Sequence, residues 1–205
     1  MPDFGPTTPP GDAGAFIMTE EGVARLFTTG LVDGPFAEHY EPAESPTPNL
    51  LHERVAVNPT VRWYDGVRES LARSTDDFPY AATVYRVVER EHFVTSHVPL
   101  LVEAMPDFFV EVPEGLALEK GVRSGERVRV WSARGEVEGV AVVTKRIKPL
   151  TVNGRTLWTI GIPVHWGFKG ITTGSMANSL TPFIGDANTR CPEFKAFLVN
   201  MERAV

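Results

Sequence analysis

The chain has 205 residues, 42% hydrophobic and 22% charged, with a formal net charge of −6. That composition excludes a disordered chain and allows one sizeable core, and no run of about 20 apolar residues is present to cross a bilayer. The single cysteine, Cys191, excludes an internal disulfide and a cysteine-held iron–sulfur cluster within the chain.

The charge is uneven. Residues 1–80 hold 5 Arg against 13 Asp and Glu, whereas residues 81–205 hold 15 Lys and Arg against 13 acids. The basic excess of the second part is too small to argue for nucleic acid, but it suits a phosphate-bearing small ligand. The opening Met1-Pro2-Asp3-Phe4-Gly5 has no basic or apolar leader pattern, so no signal peptide is expected.

In chain order, the Pro/Gly-rich residues 1–14 read as an extended lead-in. Residues 19–29 read as a short helix, with Thr19 as N-cap and acids in its first turn. Pro35, Pro42, Pro46, Pro48 and Pro59 then break any regular element across 33–60, which reads as an arm lying on something larger. From Ala81 the texture becomes β-branched. Residues 81–90 predict a strand, 98–105 a short helix and 108–112 a second strand. Pro113 opens another helix that Gly121 closes. Strands follow at 126–132 and 136–143 around an Arg134-Gly135 turn, then at 156–163 after an Asn153-Gly154 hairpin, and finally at 194–202. About six short strands with two small helices predict a mainly β chain closed into a barrel. The expected division is an arm over 1–80 and a barrel over 81–205.

Familiar catalytic patterns are missing. There is no Gly-x-Ser-x-Gly elbow, no His-Glu-x-x-His, and no glycine loop with a following Lys to cradle phosphate. Gly174-Ser175-Met176-Ala177-Asn178-Ser179 lacks that Lys. No catalytic residue and no metal ligand is therefore assigned within the chain.

Several motifs do carry an identification. They are His165-Trp166-Gly167-Phe168, Asn178-Ser179-Leu180-Thr181-Pro182, Gly185-Asp186-Ala187-Asn188-Thr189 and Pro192-Glu193-Phe194-Lys195-Ala196-Phe197. Upstream stand Glu21-Gly22-Val23-Ala24-Arg25-Leu26-Phe27, Gly34-Pro35-Phe36-Ala37-Glu38-His39-Tyr40, and the spacing of Tyr85-Arg86, Glu89, His92-Phe93, Thr95 and His97. In this order they resemble the C-terminal, cofactor-capping end of the large subunit of molybdenum- or tungsten-dependent formate dehydrogenases. The segment from Leu118 through Trp131 to Thr144 looks like the core of the double-psi β-barrel found at the end of bis-pterin enzymes, although a fold alone does not give a function.

The resemblance implies a double-psi barrel that closes over bis-molybdopterin guanine dinucleotide carrying Mo or W. It also implies formate oxidation to carbon dioxide by an assembled oxidoreductase, and an isolated chain without turnover. The metal-ligand and Fe–S residues would lie outside this chain, in the remaining catalytic portion and in an Fe–S electron-transfer subunit. No direct membrane insertion is implied. The compartment would be periplasmic if a signal-bearing partner carries the chain, and otherwise cytoplasmic. Two rival readings are another bis-pterin oxidoreductase, such as a nitrate- or sulfur-compound reductase, and a non-catalytic dinucleotide- or partner-binding module.

Cofactor-binding candidates follow from those motifs. Arg86, Lys195 and the main chain around Gly167 and Gly170 offer donors to diphosphate. Asn178, Asp186 and Glu193 offer polar edges to guanine and pterin, and Gly167, Gly170, Gly174 and Gly185 allow close backbone approach. His92, Phe93, His165, Trp166 and Phe194 complete the set. Each also has a plainer reading. His92 serves equally as a hydrogen-bonded structural residue, and His165-Trp166 as a barrel-mouth filler. Asp186 with Asn188 and Thr189 makes an ordinary Asx turn. Phe194 and Phe197 fit one face of the core, and Lys145-Arg146-Lys148 a solvated strand end.

Overall fold

A computed structural model describes residues 30–34, 38–64, 66–72, 74–92, 94–167 and 171–204. The expected lead-in at 1–14, the helix at 19–29, Phe93 and Gly170 lie outside them. The chain forms two compact units, Met1–Ala37 and Glu38–Val205. Of the first, residues 30–34 are described, where the Asp33 carboxylate accepts a hydrogen bond from the Gly34 amide at 3.1 Å. All that follows concerns the second unit.

Its elements in chain order are β1 (Arg62–Trp63), β2 (Tyr80–Tyr85), α1 (Pro99–Ala104), β3 (Phe109–Pro113), α2 (Glu114–Lys120), β4 (Arg127–Trp131), β5 (Glu136–Thr144), β6 (Leu150–Val152), β7 (Arg155–Leu157), β8 (Thr159–Pro163), β9 (Ile184–Gly185) and β10 (Phe197–Arg203). Six strands close into a barrel in the order β10-β2-β8-β3-β5-β4. Pairs β2–β8 and β3–β5 are parallel, and the remaining ladders antiparallel. The chain is thus mainly β, with few helices.

Alternation builds this barrel. In β2, Tyr80, Ala82 and Val84 are buried while the residues between them are only half-buried, the period-2 signature of a strand with one inward face. Val110, Val112, Val128, Val130, Ile160, Ile162, Val199 and Met201 are all fully buried. These apolar side chains fill the interior, so the barrel holds a packed core rather than a pore.

Local signals set most boundaries. Pro113 ends β3 and caps α2, and Gly121 ends that helix at φ +63°. The Gly121 amide reaches the Leu118 carbonyl, and Val122 N–H donates to Ala117 O at 2.8 Å, a Schellman closure that needs a left-handed residue. Asn153 and Gly154, at φ +50° and +76°, turn β6 into β7 as a two-residue hairpin.

Three boundaries differ from the sequence expectation, each for a tertiary reason. The strand expected at 81–90 stops at Tyr85, and Val87 and Arg90 bridge a turn instead. The Arg90 side chain is fully buried and donates to the carbonyls of Leu101, Val102 and Met105 at the end of α1. That contact fixes the turn. The strand expected at 156–163 divides at Trp158. Residues up to Leu157 pair with β6, and those from Thr159 join the barrel. The last strand starts at Phe197, not Phe194, because the residues before it approach along the barrel end.

Residues 38–72 bind to the barrel. Glu44 is 3% exposed. One carboxylate oxygen accepts from Ala72 N at 2.6 Å and Arg134 Nη1 at 2.5 Å. The other accepts from Arg134 Nη2 at 3.0 Å and Leu198 N at 2.9 Å. Arg134 also donates to the carbonyls of Leu180 and Ser70, both at 2.8 Å. A bidentate, fully hydrogen-bonded pair of this kind is how a buried charge is tolerated. A second part-buried cluster joins Glu111 to Arg146 and to the Tyr85 hydroxyl, which donates at 2.5 Å. Burial first, and the Glu111 contact next, raise the Tyr85 phenol well above its ordinary range.

Candidate functional site

The barrel topology gathers three chain segments at one end. Because β2 and β8 are parallel and β10 runs antiparallel to β2, the residues after β2, those after β8 and those before β10 meet there. Around that end lies a cavity of about 510 Å³, within the size range of small-molecule sites. β2 contributes Arg86, β8 leads to Val164, His165 and Trp166, and Pro192, Phe194 and Lys195 come from the approach to β10. The remaining wall is the 3₁₀ turn Ala177–Ser179 and its flanks, with Met176, Ala177, Asn178, Thr181, Pro182 and Phe183.

Six sequence candidates therefore meet: Arg86, His165, Trp166, Asn178, Phe194 and Lys195. Trp166 is buried, packed edge-on against Phe108 and Phe109 at 5.6 and 6.1 Å between ring centroids. Its indole N–H donates to Pro106 O at 3.4 Å, so its orientation is fixed from behind. A Cβ on Gly174 would lie 3.0 Å from Trp166 Cδ1 and 3.1 Å from Phe108 Cβ. Glycine at that position lets the loop lie flat on the indole. The Gly174 amide donates to Gly167 O at 2.8 Å, which places Gly167 in a backbone bridge beside the cavity.

Two cations share the rim. The Lys195 ammonium donates to Val84 O at 2.6 Å and lies 5.1 Å from the Phe194 ring centre. Burial, with Arg86 adding like charge, holds its pKa below the usual lysine value. Arg86 meets Glu91 at 3.4 Å. Among the described residues the Asn178 carboxamide has no hydrogen-bond partner, and the residue is exposed in the cavity wall.

The other candidates sit differently. His92 lies beside the cavity, its ring 5.0 Å from that of His165 and its Nε2 3.1 Å from Glu91. His165 Nδ1 contacts Arg90 O at 2.7 Å. Both histidines hold positive φ, +48° and +78°, a backbone strain that functional sites often store. Asp186 spends one oxygen on Asn188 N, Thr189 N and Thr189 Oγ1, which is the Asx-turn arrangement. Those bonds, the Thr189 amide first, hold its carboxyl below the ordinary range. Glu193 turns toward residues 38–72 and accepts from Ala43 N at 2.8 Å. Burial, with Glu44 nearby, pushes its carboxyl up. Phe197 is core, 1% exposed, and Lys145 and Arg146 pair with Glu114 and Glu111.

Met176, Thr181, Pro182, Phe183 and Pro192 were not singled out from sequence, although Thr181, Pro182 and Pro192 belong to motifs that carried the resemblance. Phe183 is 59% exposed and stacks on Tyr64 with ring centres 4.1 Å apart. A second concavity of similar volume, bounded by Pro46, Asp76, Pro79 and the β6–β7 hairpin, has no aromatic side chain. Among the described residues no group of three or more His, Cys, Asp or Glu is arranged to hold a metal ion, and no helix is long and apolar enough to cross a membrane.

Aromatic faces on a floor, two cations on the rim and a free carboxamide suit an anionic ligand with a planar heterocycle. The family model described as molydopterin dinucleotide binding domain matches residues 80–198. The chain belongs to this family. It is 49% identical over its whole length to the major subunit of the nitrate-inducible formate dehydrogenase of Escherichia coli (strain K12). It is 47% identical, over 99% of its length, to the formate dehydrogenase-O major subunit of the same organism, and 39% identical to formate dehydrogenase subunit alpha of Megalodesulfovibrio gigas. It spans only about a fifth of the length of these relatives. Among solved structures, acetylene hydratase from Pelobacter acetylenicus matches 63% of this chain and 19% of its own, with a TM-score of 0.50 and 16% identity, a likeness of fold alone.

Proposed function

We propose that this chain is the C-terminal, cofactor-capping part of a molybdenum or tungsten formate dehydrogenase, and that its barrel-end cavity holds part of a bis-molybdopterin guanine dinucleotide. The observation that carries the reading is the convergence of Arg86, Lys195, Trp166, Phe194 and Asn178 on one cavity in a chain of this family. The residues fit the group. Arg86 and Lys195 would face its diphosphate, and the Asn178 carboxamide a guanine or pterin edge. Phe194 offers a ring face, and the buried Trp166, with the Gly174 loop lying low against it, a fixed apolar floor. The barrel is read as the double-psi type and residues 1–80 as a Pro-rich arm that also meets the rest of the enzyme.

The chemistry supplied by that group when bound is two-electron oxidation of formate to carbon dioxide, with release of a proton. This chain's own residues bind, orient and exclude water. The buried indole of Trp166 closes the floor, and the Lys195 ammonium, already anchored to Val84 O, presents fixed charge at little ordering cost. Metal ligands and Fe–S cysteines would belong to the remaining catalytic portion, and an Fe–S subunit would take the electrons.

The test is recovery of the tagged chain from its native host, followed by assay of the eluate for metal, released guanine nucleotide and formate-dependent dye reduction. Co-elution of a large partner with all three supports the reading. A chain recovered alone, without metal or nucleotide, contradicts it.

A further inference from the structure

We propose that Glu44 and Arg134 are positioning residues for the cavity, setting its 177–183 wall from outside the barrel. The inference rests on reading the cavity as a nucleotide site. Neither side chain lines the cavity, yet several struts of that wall lead back to them or to the segment they hold, beside the Ser175–Glu138 bonds and the burial of Ala177 and Leu180 in the core.

Arg134 sits in the β4–β5 turn and its Nε grips Leu180 O at 2.8 Å, between Asn178 and Thr181. Its other two nitrogens are taken by Glu44 and Ser70. Glu44 in turn holds Leu198 N at the start of β10, three residues beyond Lys195. One buried ion pair therefore fixes the spacing between the two loops that face each other across the cavity. Residues 38–72 reinforce it at three further points. Tyr64 stacks on Phe183, β1 pairs with β9 through Arg62–Gly185 and Trp63–Ile184, and Ala43 N donates to Glu193. Gly135, beside Arg134, lies so near the wall that a Cβ would meet Ser179 O at 3.0 Å. The wall residues have few strand ladders of their own, since Ala177–Ser179 is a single 3₁₀ turn. Core burial of Ala177 and Leu180 seats the turn, and the clamp adds the second layer of contacts that a binding wall requires.

The experiment compares the full chain with Arg134→Met, Arg134→Lys and a control, Val130→Ala, that loosens the buried core of β4 without touching the clamp. Hydrogen exchange is read at 177–183 and affinity is measured for guanosine diphosphate, all below every variant's melting temperature. We expect Arg134→Met to speed exchange at 177–183 and to weaken nucleotide binding by about tenfold. Arg134→Lys should recover part of the affinity, and Val130→Ala should leave both readings at the wild-type level. If Arg134→Met does not fold, Arg134→Lys is read alone, with faster exchange at 177–183 and about threefold weaker binding expected. Unchanged exchange at 177–183 in a folded clamp variant overturns the proposal, as does a loss that Val130→Ala matches. Failure of the wild type to bind guanosine diphosphate would sink the cavity reading, and exchange at 177–183 would still decide the clamp.

Discussion

The barrel and the cavity built on its end are assembled by different rules. Barrel strands announce themselves within a few residues, by alternation in β2 and β4 and by continuous apolar runs in β3 and β8. The cavity wall has no such local code. It depends on Glu44 and Arg134, 90 positions apart, and on rings from distant segments such as Tyr64 and Phe183. Local pattern suffices for a core, whereas a binding wall is set by contacts no window of sequence contains.

That contrast can be broken from either side. The largest expected effect is at the clamp. Glu44→Ala leaves the Arg134 guanidinium buried without a carboxylate and should cost about 3–5 kcal/mol in urea unfolding. A loss no larger than that of a surface ion pair would put residues 38–72 outside the cooperative unit. Ile162→Ala, at a fully buried barrel position, should cost about 2–5 kcal/mol through lost burial and a cavity. It should do so without selective exchange at 177–183. Gly121→Ala, at φ +63°, forces a side chain into the left-handed region. It should cost about 1–2 kcal/mol, and a neutral result would mean that the α2 closure relaxes.

The smallest effects concern pH, and they oppose one another along a single loop. Glu193 has a raised carboxyl pKa through burial, so the folded state prefers it protonated. Its contribution to stability is full below the ordinary glutamate value and is lost as pH rises through the folded value. Glu193→Gln should remove that loss and flatten the stability profile above pH 4.5. Asp186 is lowered by its Thr189 and Asn188 bonds, so its contribution is present above the ordinary aspartate value and fades as pH falls. Thermal melts across this window would separate the two. An unchanged profile in the Glu193 variant would contradict the burial account.

Much of the barrel was legible because β-branched alternation, Pro113, Gly121 and the Asn153-Gly154 pair are strong local signals. The extra length expected for the first strand arose because Val87 and Val88 continue the β-like texture. Nothing in the sequence marks Arg90 as a buried group tied to α1. For the cavity, Arg86, His165, Trp166 and Lys195 were recognisable from family-like motifs at strand ends. Asp186 and Glu193 matched as residue types, and what no local pattern showed is that one oxygen of each is taken, by the 188–189 turn and by Ala43. Phe183 could be found only by knowing that Tyr64 lies beneath it.

The measurement closest to the central claim is a titration of the wild-type chain and of Lys195→Ala with guanosine diphosphate, followed by tryptophan fluorescence. The cavity account predicts saturable binding that perturbs Trp166 and weakens about tenfold or more when the rim ammonium is removed. No saturable binding, or equal binding by both proteins, would contradict it.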